Sequence, residues 1–353
     1  MARLRRANPH EPGIRRRRRG RGFSYVASTD EPVRDSEVLE RIRRLAIPPA
    51  WTDVWICPFE EGHLQAVGTD AAGRRQYKYH ERWQQHRQRQ KYDHMLQFAG
   101  ALPSLRARVG EDLSRPRPDK RRVLAAAVRL LDLGFFRIGS ESYAEQNGSY
   151  GLATIKRRHV TVRDDTVQFN YVGKGGKRRV QQVRDADVAA LVRTLKARRG
   201  GGDELLAAKE KNGVWRDVRS TDVNDYLREL SDADFTAKDF RTWHATVLAA
   251  VALARMEPSK TKTGKRRAVS RAVCQVSESL GNTPAVCRTS YIDPRVIDRF
   301  WDGWTIEGVL RGGGDHGEVG EGVPDDAAAR EAIEAAVLDL VEERDTSVVS
   351  KAA

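Results

Sequence analysis

Cationic side chains recur where helices and hairpins are predicted to end. Arg137 follows an apolar helix in the segment Phe-Phe-Arg-Ile-Gly, and Lys174 lies at the tip of a predicted glycine-rich hairpin. Lys238 and Arg241 are three residues apart, so both lie on one face of a predicted helix. Guanidinium and ammonium groups of this kind suit the binding of phosphate oxygens. Each of these residues, taken alone, is more often an ordinary solvated side chain, so only their joint occurrence and order point to a function.

A tyrosine follows these cationic residues in the sequence. Asn282 follows Gly281, and Tyr291 comes nine residues later, directly before Ile-Asp-Pro. A phenol hydroxyl is one of the side-chain groups that can form a covalent intermediate with a substrate. A single tyrosine in such a segment is nevertheless more often a half-buried packing residue.

Two kinds of segment must position these residues. Residues 36–45 form a predicted short helix, and a predicted β-meander follows, with strands at 53–57, 64–68 and 75–79. From residue 81 onward the pattern becomes helical, and a short three-stranded unit at 160–162, 167–172 and 177–183 is embedded in it. The predicted helices of this part span residues 81–99, 119–133, 185–199, 221–231, 237–256, 265–279 and 294–302. The sequence therefore predicts an α+β protein with a small β-rich domain and a larger, mainly helical one.

The charge is strongly basic and unevenly distributed. The 353 residues carry a formal net charge of +14, with +8 in residues 1–22 and −8 in residues 312–353. The remaining part of the chain, 23–311, therefore carries +14 by itself. A folded region with this excess predicts a polyanionic partner, since each phosphate contact releases counterions.

Several classes of protein are excluded by simple patterns. The longest apolar run, 245–254, is too short to span a membrane, and no hydrophobic segment follows the basic N-terminus. The three cysteines are too few and too scattered for a disulfide framework or a zinc site, which favours an intracellular, cytoplasmic protein. A phosphate-binding Walker motif and paired carboxylates or histidines at metal-ligand spacing are both missing from the sequence. We therefore expect no ATP, metal or other cofactor.

The order of these motifs carries a resemblance to a known family. Arg137, Lys174, Lys238-Asp-Phe-Arg241, Asn282 and Tyr291 together resemble the active site of type IB DNA topoisomerases, in particular the compact poxvirus-like and bacterial kind. The segment Gly-Arg-Arg-Gln-Tyr-Lys-Tyr that ends at Tyr79 resembles a DNA-contacting strand of the same family. The match covers about residues 25–305.

The resemblance implies both an activity and a role for each residue. Members of this family relax supercoiled duplex DNA by cutting one strand through a covalent 3′-phosphotyrosine, without ATP or metal. Tyr291 is then the nucleophile, Arg137 and Arg241 hold the non-bridging phosphate oxygens, and Lys174 protonates the leaving 5′-oxygen. Asn282 stands where many members have histidine; an amide can donate a hydrogen bond to phosphate but cannot transfer a proton.

The resemblance also implies a DNA interface. The residues it assigns to DNA contact are Arg74, Gln76, Tyr77, Tyr79, Tyr143, Lys177 and Lys238. Strand alternation places Tyr77 and Tyr79 on one face, where they either contact DNA or belong to the core of the small domain. The expected partner is double-stranded DNA, around which a monomer closes as a clamp, with the protein associated with the nucleoid.

Four regions follow along the chain. We predict a basic disordered arm over residues 1–22, a β-rich DNA-binding domain over 23–88, a catalytic domain with a tyrosine-recombinase-like fold over 89–311, and an acidic tail with a helix over 312–353. Two alternatives remain open. A tyrosine site-specific recombinase shares the same chemistry, although it typically has His-x-x-Arg where this chain has Lys238-Asp-Phe-Arg241. A non-catalytic basic DNA-binding protein is the other.

Overall fold

The computed structural model describes residues 3–257, 259, 261–312, 326–344 and 349–351. The chain divides into two compact units, Met1–Asp93 and His94–Ala353. The division falls within a long helix, Glu81–Leu113. The described residues include no helix that is long and apolar enough to cross a membrane.

The first unit is a five-stranded antiparallel sheet with one helix. Its elements are β1 (Ile14–Arg19), β2 (Gly22–Val26), α1 (Ser36–Arg44), β3 (Thr52–Ile56), β4 (Leu64–Thr69) and β5 (Arg75–Tyr79). The strands lie in the order β2-β1-β3-β4-β5. Ile42 of α1 packs against Ile14, Val54 and Ile56 on one face of the sheet, which forms the core of this unit.

The prediction of a disordered arm over residues 1–22 is wrong for the arginine-rich segment. Residues 14–19 form β1, which pairs along its length with β2 and, through Ile14 and Arg15, with β3. Alternation explains how five consecutive arginines fit into a strand. Ile14 is buried, and Arg16 on the same face donates hydrogen bonds to the carbonyls of Pro48 and Trp51 at 3.1 and 2.6 Å, while the other arginines stay exposed.

The second unit is mainly helical. Its helices are α2 (Glu81–Leu113, which begins in the first unit), α3 (Lys120–Leu133), α4 (Glu141–Asn147), α5 (Ala186–Ala197), α6 (Ser220–Ser231), α7 (Ala237–Ala254), α8 (Lys262–Leu280), α9 (Pro284–Ser290), α10 (Pro294–Trp301), α11 (Glu307–Gly312) and α12 (Ala327–Val341). Its strands are β6 (Val160–Arg163), β7 (Thr166–Val172), β8 (Arg178–Arg184), β9 (Ala207–Lys209), β10 (Trp215–Asp217), β11 (Trp304–Thr305) and β12 (Ser350–Lys351). The strands β6, β7 and β8 form a three-stranded antiparallel sheet, and β9-β10 and β11-β12 form two-stranded ones. The prediction of a mixed α+β protein is confirmed.

Helix α7 is the most deeply buried helix of this unit. Asp239 opens it by accepting a hydrogen bond from the Thr236 backbone N–H at 2.8 Å, as the capping-box pattern predicts. Almost every residue from Phe240 to Ala254 is buried, because the helix is apolar on all sides. Arg241 is a charged residue within this apolar helix, and its surroundings must therefore satisfy its guanidinium.

Helix α12 lies in the predicted acidic tail and packs on the second unit. Arg106 of α2 donates to Asp132 of α3 at 2.9 Å and to Glu334 of α12 at 2.7 Å. All three side chains are at most 12% exposed, so the carboxylates are neutralised inside the fold. The remainder of the predicted tail, at 313–325, 345–348 and 352–353, lies outside the described residues.

Several elements differ from the predictions. Helix α2 extends to Leu113, well beyond the predicted end at residue 99. The short elements α4, α9, β9 and β10 have no predicted counterpart. Helix α9 leads directly to Tyr291 and therefore matters most for the site.

Candidate active site

Arg137 lies in the loop that follows α3. Gly139 has φ +77°, and a Cβ added at Gly151 would stand 2.6 Å from the carbonyl oxygen of Arg137. The backbone N–H of Leu152 donates to that same oxygen at 2.8 Å. Two glycines therefore let the backbone segments approach closely, and this fixes the loop that carries Arg137.

Arg241 connects this loop to the end of α8. Its Nη1 donates to the carbonyl of Phe135 at 2.6 Å, and its Nη2 donates to the carbonyl of Leu280 at 2.9 Å. The residue is 4% exposed. Burial lowers the pKa of Arg241 to about 10; the Arg137 charge acts in the same direction and Tyr291 opposes it. Burial and the neighbouring Arg137 thus make the positive charge of Arg241 unfavourable, and an anion bound beside it would stabilise that charge.

Asn282 stands directly after the glycine that ends α8. Gly281 takes the left-handed conformation, φ +64°, that commonly ends a helix. Arg137 Nη2 donates to the Asn282 Oδ1 and lies 3.3 Å from the carbonyl of Gly281. The last carbonyls of a helix lack intrahelical partners and carry partial negative charge, so this helix end attracts the guanidinium groups.

Arg179 of β8 is a third guanidinium at the same helix end, and sequence reasoning missed it. Its Nη1 and Nη2 donate to the carbonyls of Glu278 and Ser279 at 3.2 and 2.6 Å. Burial lowers the pKa of Arg179, and Tyr171 opposes this effect. The register of the hairpin places Arg179 opposite Tyr171. The carbonyls of Glu278 and Ser279, which Arg179 binds, lie about a hundred residues further along the chain. The only sequence signal was the hairpin itself, which does not indicate what it packs against.

Tyr291 lies beside Arg241. It is the residue that ends α9, and its backbone N–H donates to the carbonyl of Cys287 at 3.0 Å. The Cζ of Arg241 lies 5.5 Å from the centre of the Tyr291 ring. Because Arg241 also shares its helix end with Arg137 and Asn282, the structure brings together four of the five predicted catalytic residues.

Two buried hydrogen-bond donors in this cluster have no partner among the described residues. They are the Nε of Arg241 and the Nδ2 of Asn282. An unsatisfied buried donor costs about 1–3 kcal/mol, so such groups are rare unless a ligand completes them. Donors left open beside two guanidinium groups fit an anion with several oxygens.

The predicted lysines lie at exposed positions. Lys174 begins a short 3-10 turn, Lys174–Gly176, at the tip of the β7-β8 hairpin, and Lys177 follows it. Both side chains are exposed, and no hydrogen bond or ion pair of the Lys174 side chain is found within the described part of the chain. Lys174 is therefore free to move toward a ligand, but no contact joins its ammonium to Arg137, Arg241, Asn282 or Tyr291 in the described structure.

Two further candidates lie on the surface of the second unit. Lys238, in the first turn of α7, is exposed even though Arg241 one turn later is buried. Tyr143 on α4 is 40% exposed. Both remain available for a ligand that extends beyond the cluster of Arg137, Arg241 and Tyr291.

The candidate DNA-contacting residues of the first unit lie on and beside β5. Tyr77 and Tyr79 are 49% and 39% exposed and their rings stack at 6.1 Å, so the alternative that they are core residues is wrong. Asp70 accepts hydrogen bonds from Arg74 Nε and Gln76 Nε2, each at 2.9 Å. Hydrogen bonds from the backbone and side chain of Arg74 lower the pKa of Asp70 to about 2. Asp70 thus orients Arg74 and Gln76 on the exposed end of the sheet.

Two protein-family models match this chain. Residues 80–300 match the catalytic core of eukaryotic DNA topoisomerase I. Residues 22–70 match the N-terminal domain of bacterial DNA topoisomerase IB. The two matches fall on either side of the segment 71–79, which contains β5.

Curated relatives agree with the family models. A protein named DNA topoisomerase 1B from Acanthamoeba polyphaga mimivirus is 31% identical over 289 residues, which is 79% of this chain and 85% of the relative. DNA topoisomerase 1B of vaccinia virus (strain Copenhagen) is 28% identical over 156 residues, 43% of this chain and 48% of the relative. DNA topoisomerase 1 of Daucus carota is 26% identical over 161 residues, 45% of this chain and 19% of the relative.

Proposed function

This chain belongs to the type IB DNA topoisomerases, a family of isomerases, and we propose that it relaxes supercoiled duplex DNA by cutting and resealing one strand through Tyr291. The observation that carries this proposal is that Arg137, Asn282 and Arg241 meet at the end of α8 and that Arg241 lies beside the Tyr291 ring. A reacting phosphodiester needs such donors close to the attacking hydroxyl, because its oxygens gain negative charge in the transition state.

The proposed reaction exchanges one phosphoester bond for another. The Tyr291 oxygen attacks the phosphorus, a bond from phosphorus to the tyrosine oxygen forms, and the bond to the 5′-oxygen breaks. The phenol proton is lost to solvent, and the 5′-oxygen gains a proton and leaves as a hydroxyl. Resealing reverses these steps. The energy of the broken bond is kept in the 3′-phosphotyrosyl ester, and for this reason we expect no need for ATP or a metal ion.

The two arginines and the asparagine stabilise the reacting phosphate. Arg137 and Arg241 hold non-bridging oxygens, because a guanidinium stays charged and presents several donors at once. The open donors, Arg241 Nε and Asn282 Nδ2, complete this set. Asn282 contributes a hydrogen bond and no proton transfer, since an amide does not titrate.

Lys174 is the proposed general acid. An alkoxide is a poor leaving group, so a proton delivered to the 5′-oxygen speeds its departure. The exposed hairpin tip gives the ammonium the freedom to reach a bound strand. Lys177 on the same hairpin contacts phosphate, as do Lys238 and Tyr143 on the second unit.

DNA binding involves both units. Arg74, Gln76, Tyr77 and Tyr79 form the interface of the first unit, with Gln76 able to contact a base edge in the major groove. A monomer that closes on the duplex as a clamp would use both surfaces, and its site of action would be the nucleoid in the cytoplasm. The finer fold assignment, a tyrosine-recombinase-like catalytic domain over residues 89–311, is supported by the helical unit with its embedded three-stranded sheet.

Relaxation of a supercoiled plasmid in EDTA and without ATP tests this function. We expect relaxation by the wild-type protein on plasmids without matched recombination sites, and none by Tyr291→Phe. Tyr25→Phe is the matched control, since Tyr25 packs against the core of the first unit and should leave the rate unchanged. Relaxation by Tyr291→Phe at the wild-type rate, or a strict need for paired sequence sites, would refute the proposal.

A further inference from the structure

Arg179 fills the space between the Lys174 hairpin and the carboxyl end of α8. A Cβ added at Gly173, the residue before Lys174, would stand 3.1 Å from the Cγ of Arg179. A Cβ added at Gly281 would stand 2.7 Å from its Nη1. The two glycines therefore leave room for one arginine side chain that touches the hairpin at its base and the helix at its end.

The contacts of Arg179 connect these two elements. Its two terminal nitrogens donate to carbonyls of Glu278 and Ser279 in the last turn of α8. On the hairpin side it stands opposite Tyr171, which is 5% exposed and donates to Gln181 at 2.9 Å. Burial raises the pKa of Tyr171, so this neighbour stays a neutral phenol. The two terminal nitrogens of Arg179 thus donate hydrogen bonds within the fold, whereas the Nε of Arg241 has no partner among the described residues.

We propose that Arg179 is a positioning residue that fixes the Lys174 hairpin on the end of α8, so that Lys174 reaches the phosphate held by Arg137 and Arg241. This inference rests on the proposed role of Lys174 as the general acid. Arg179 contacts the helix end that Arg137 and Arg241 also contact, and its own strand begins four residues after Lys174. Its loss should therefore weaken proton delivery to the leaving oxygen more than it weakens binding of the phosphate.

The test compares two leaving groups on the same enzyme. Single-turnover cleavage is measured on a suicide duplex with an ordinary phosphodiester and on one with a 5′-bridging sulfur, which leaves without protonation. We expect Lys174→Ala to slow cleavage of the ordinary substrate by roughly 10²–10⁴-fold. Arg179→Gln should slow it by roughly 10–100-fold, the effect of a misplaced catalytic group. The sulfur substrate should restore most of the rate in both variants.

Arg178→Gln is the matched control. Arg178 is the exposed neighbour on β8, and it donates to Asn170 across the hairpin at 2.8 Å. It should leave the ratio of the two rates at the wild-type value. Because both substrates are cleaved by one preparation, a partial loss of folded protein cancels from this ratio.

The outcomes separate this inference from the proposed function. Equal losses on both substrates for Arg179→Gln, with rescue of Lys174→Ala, would overturn the inference alone. An unchanged rate for Arg179→Gln would do the same. If Lys174→Ala lost the same factor in cleavage rate on both substrates, the general-acid role and the inference with it would be refuted. Arg179→Lys, which keeps the charge but cannot reach both carbonyls, should give a smaller loss with the same rescue.

A second inference comes from the register of the first unit's sheet. Arg15 stands opposite Trp55, Trp55 opposite Val67, and Val67 opposite Tyr77. Directly opposite residues project from the same face of a sheet, and so do residues two apart on one strand. Arg15, Arg17 and Arg19 therefore lie on the face that carries Tyr77 and Tyr79. Arg15 and Tyr77 are about 14 Å apart at the usual strand spacing, and the other pairs are further apart.

These arginines keep an excess of positive charge. The Arg15 and Arg17 side chains are 50% and 56% exposed, and both pair with a single carboxylate, Asp30. Arg19 is exposed as well. The strand also lies outside the two ranges that match family models, 22–70 and 80–300.

We infer that Arg15, Arg17 and Arg19 form a phosphate-binding surface that widens the contact of the first unit with duplex DNA. The positive charge of these arginines complements the phosphate backbone. This charge and the face shared with Tyr77 and Tyr79 point to duplex DNA as the ligand. The surface reads no bases, because arginines that contact the backbone carry no sequence information.

Salt dependence of binding tests this surface. Affinity for a duplex is measured from low to high salt with the Arg15→Gln/Arg17→Gln/Arg19→Gln variant. The slope of log affinity against log salt should fall in magnitude by roughly 2–3, about 0.9 for each lost phosphate contact. The control variant Arg18→Gln/Arg43→Gln/Arg44→Gln removes the same charge from the α1 side of the sheet and should change the slope by less than one such contact. Equal changes in both variants would overturn the inference and leave only an effect of net charge.

Discussion

Asn282 differs from the other predicted catalytic residues in having a side chain that does not titrate. Its Oδ1 accepts a hydrogen bond from Arg137, while its Nδ2 is buried without a partner in the described structure. A histidine at this position would offer a donor as well, but it would also titrate near pH 6.5. The asparagine gives a contact whose strength does not change with pH.

The variant Asn282→His should introduce a pH dependence. A protonated imidazolium adds positive charge beside the phosphate, so the cleavage rate of the variant relative to wild type should rise as the pH falls through about 6.5. Asn282→Ala, which removes the donor, should slow cleavage by roughly 10²–10³-fold at every pH. Single-turnover cleavage between pH 5.5 and 8 measures both. A rate for Asn282→Ala equal to wild type would show that the amide does not contact the phosphate.

Much of the residue cluster at the end of α8 could be predicted from the sequence. Arg137, Arg241 and Asn282 meet at the end of α8, and Tyr291 lies beside Arg241, as the resemblance to the type IB family implied. Arg179 could not be predicted, because one more arginine in a hairpin with several basic residues has no distinguishing pattern. Its importance appears only once β8 and the end of α8 are seen to be neighbours.

At the scale of elements, one buried arginine holds three helices together. Arg106 of α2 binds Asp132 of α3 and Glu334 of α12. Burial alone would raise the pKa of Asp132, but hydrogen bonds and charge from His244 and Arg106 outweigh it and hold that pKa well below its usual range. The carboxylate is thus more stable as an anion in the folded protein than in the unfolded chain.

Asp132→Asn should destabilise the second unit by about 3 kcal/mol near pH 7, because it removes one charge from a buried pair. A depressed folded pKa contributes stability above the unfolded value, about 3.9, and this contribution disappears as the pH falls below it. The difference in free energy of unfolding between wild type and variant should therefore be constant above about pH 5 and shrink at lower pH. Denaturant unfolding at a series of pH values measures it.

Asp225→Asn is the control for this prediction. Asp225 pairs with Arg228 on the surface, where its side chain is 71% exposed. Such a pair contributes about 1 kcal/mol or less. A loss for Asp132→Asn as small as that of the control, or a loss that persists unchanged at pH 3, would contradict the account of the buried cluster.

Elements with clear periodicity could be predicted, and elements set by packing could not. Helix α1 and strands β3 to β5 agree with their predicted bounds to within one residue, and the strands follow from alternation and turn residues. Strand β1 was predicted as disordered because its charge hid the alternation between Arg16, bound to backbone carbonyls, and its exposed neighbours. Helix α9 spans only seven residues, too few for a helical period to be recognised.

At the scale of the whole molecule, the basic charge and Tyr291 serve the same proposed reaction: the charge binds DNA and the tyrosine cuts it. The folded middle of the chain carries the excess of positive charge, and each of the two compact units presents cationic or aromatic side chains that suit DNA. We expect backbone contacts to supply most of the affinity and a few base contacts to tune the choice of site. We propose that the charges of the second unit act on a single phosphorus atom beside the Tyr291 hydroxyl.

Mapping of the covalent adduct tests this claim most directly. The protein is incubated with a nicked suicide duplex, the trapped complex is digested, and the DNA-linked peptide is sequenced by mass spectrometry. We predict that the peptide contains Tyr291 joined to the 3′-phosphate of the cut strand, with a free 5′-hydroxyl on the other fragment. An adduct on another residue, or one joined through a 5′-phosphate, would contradict the account.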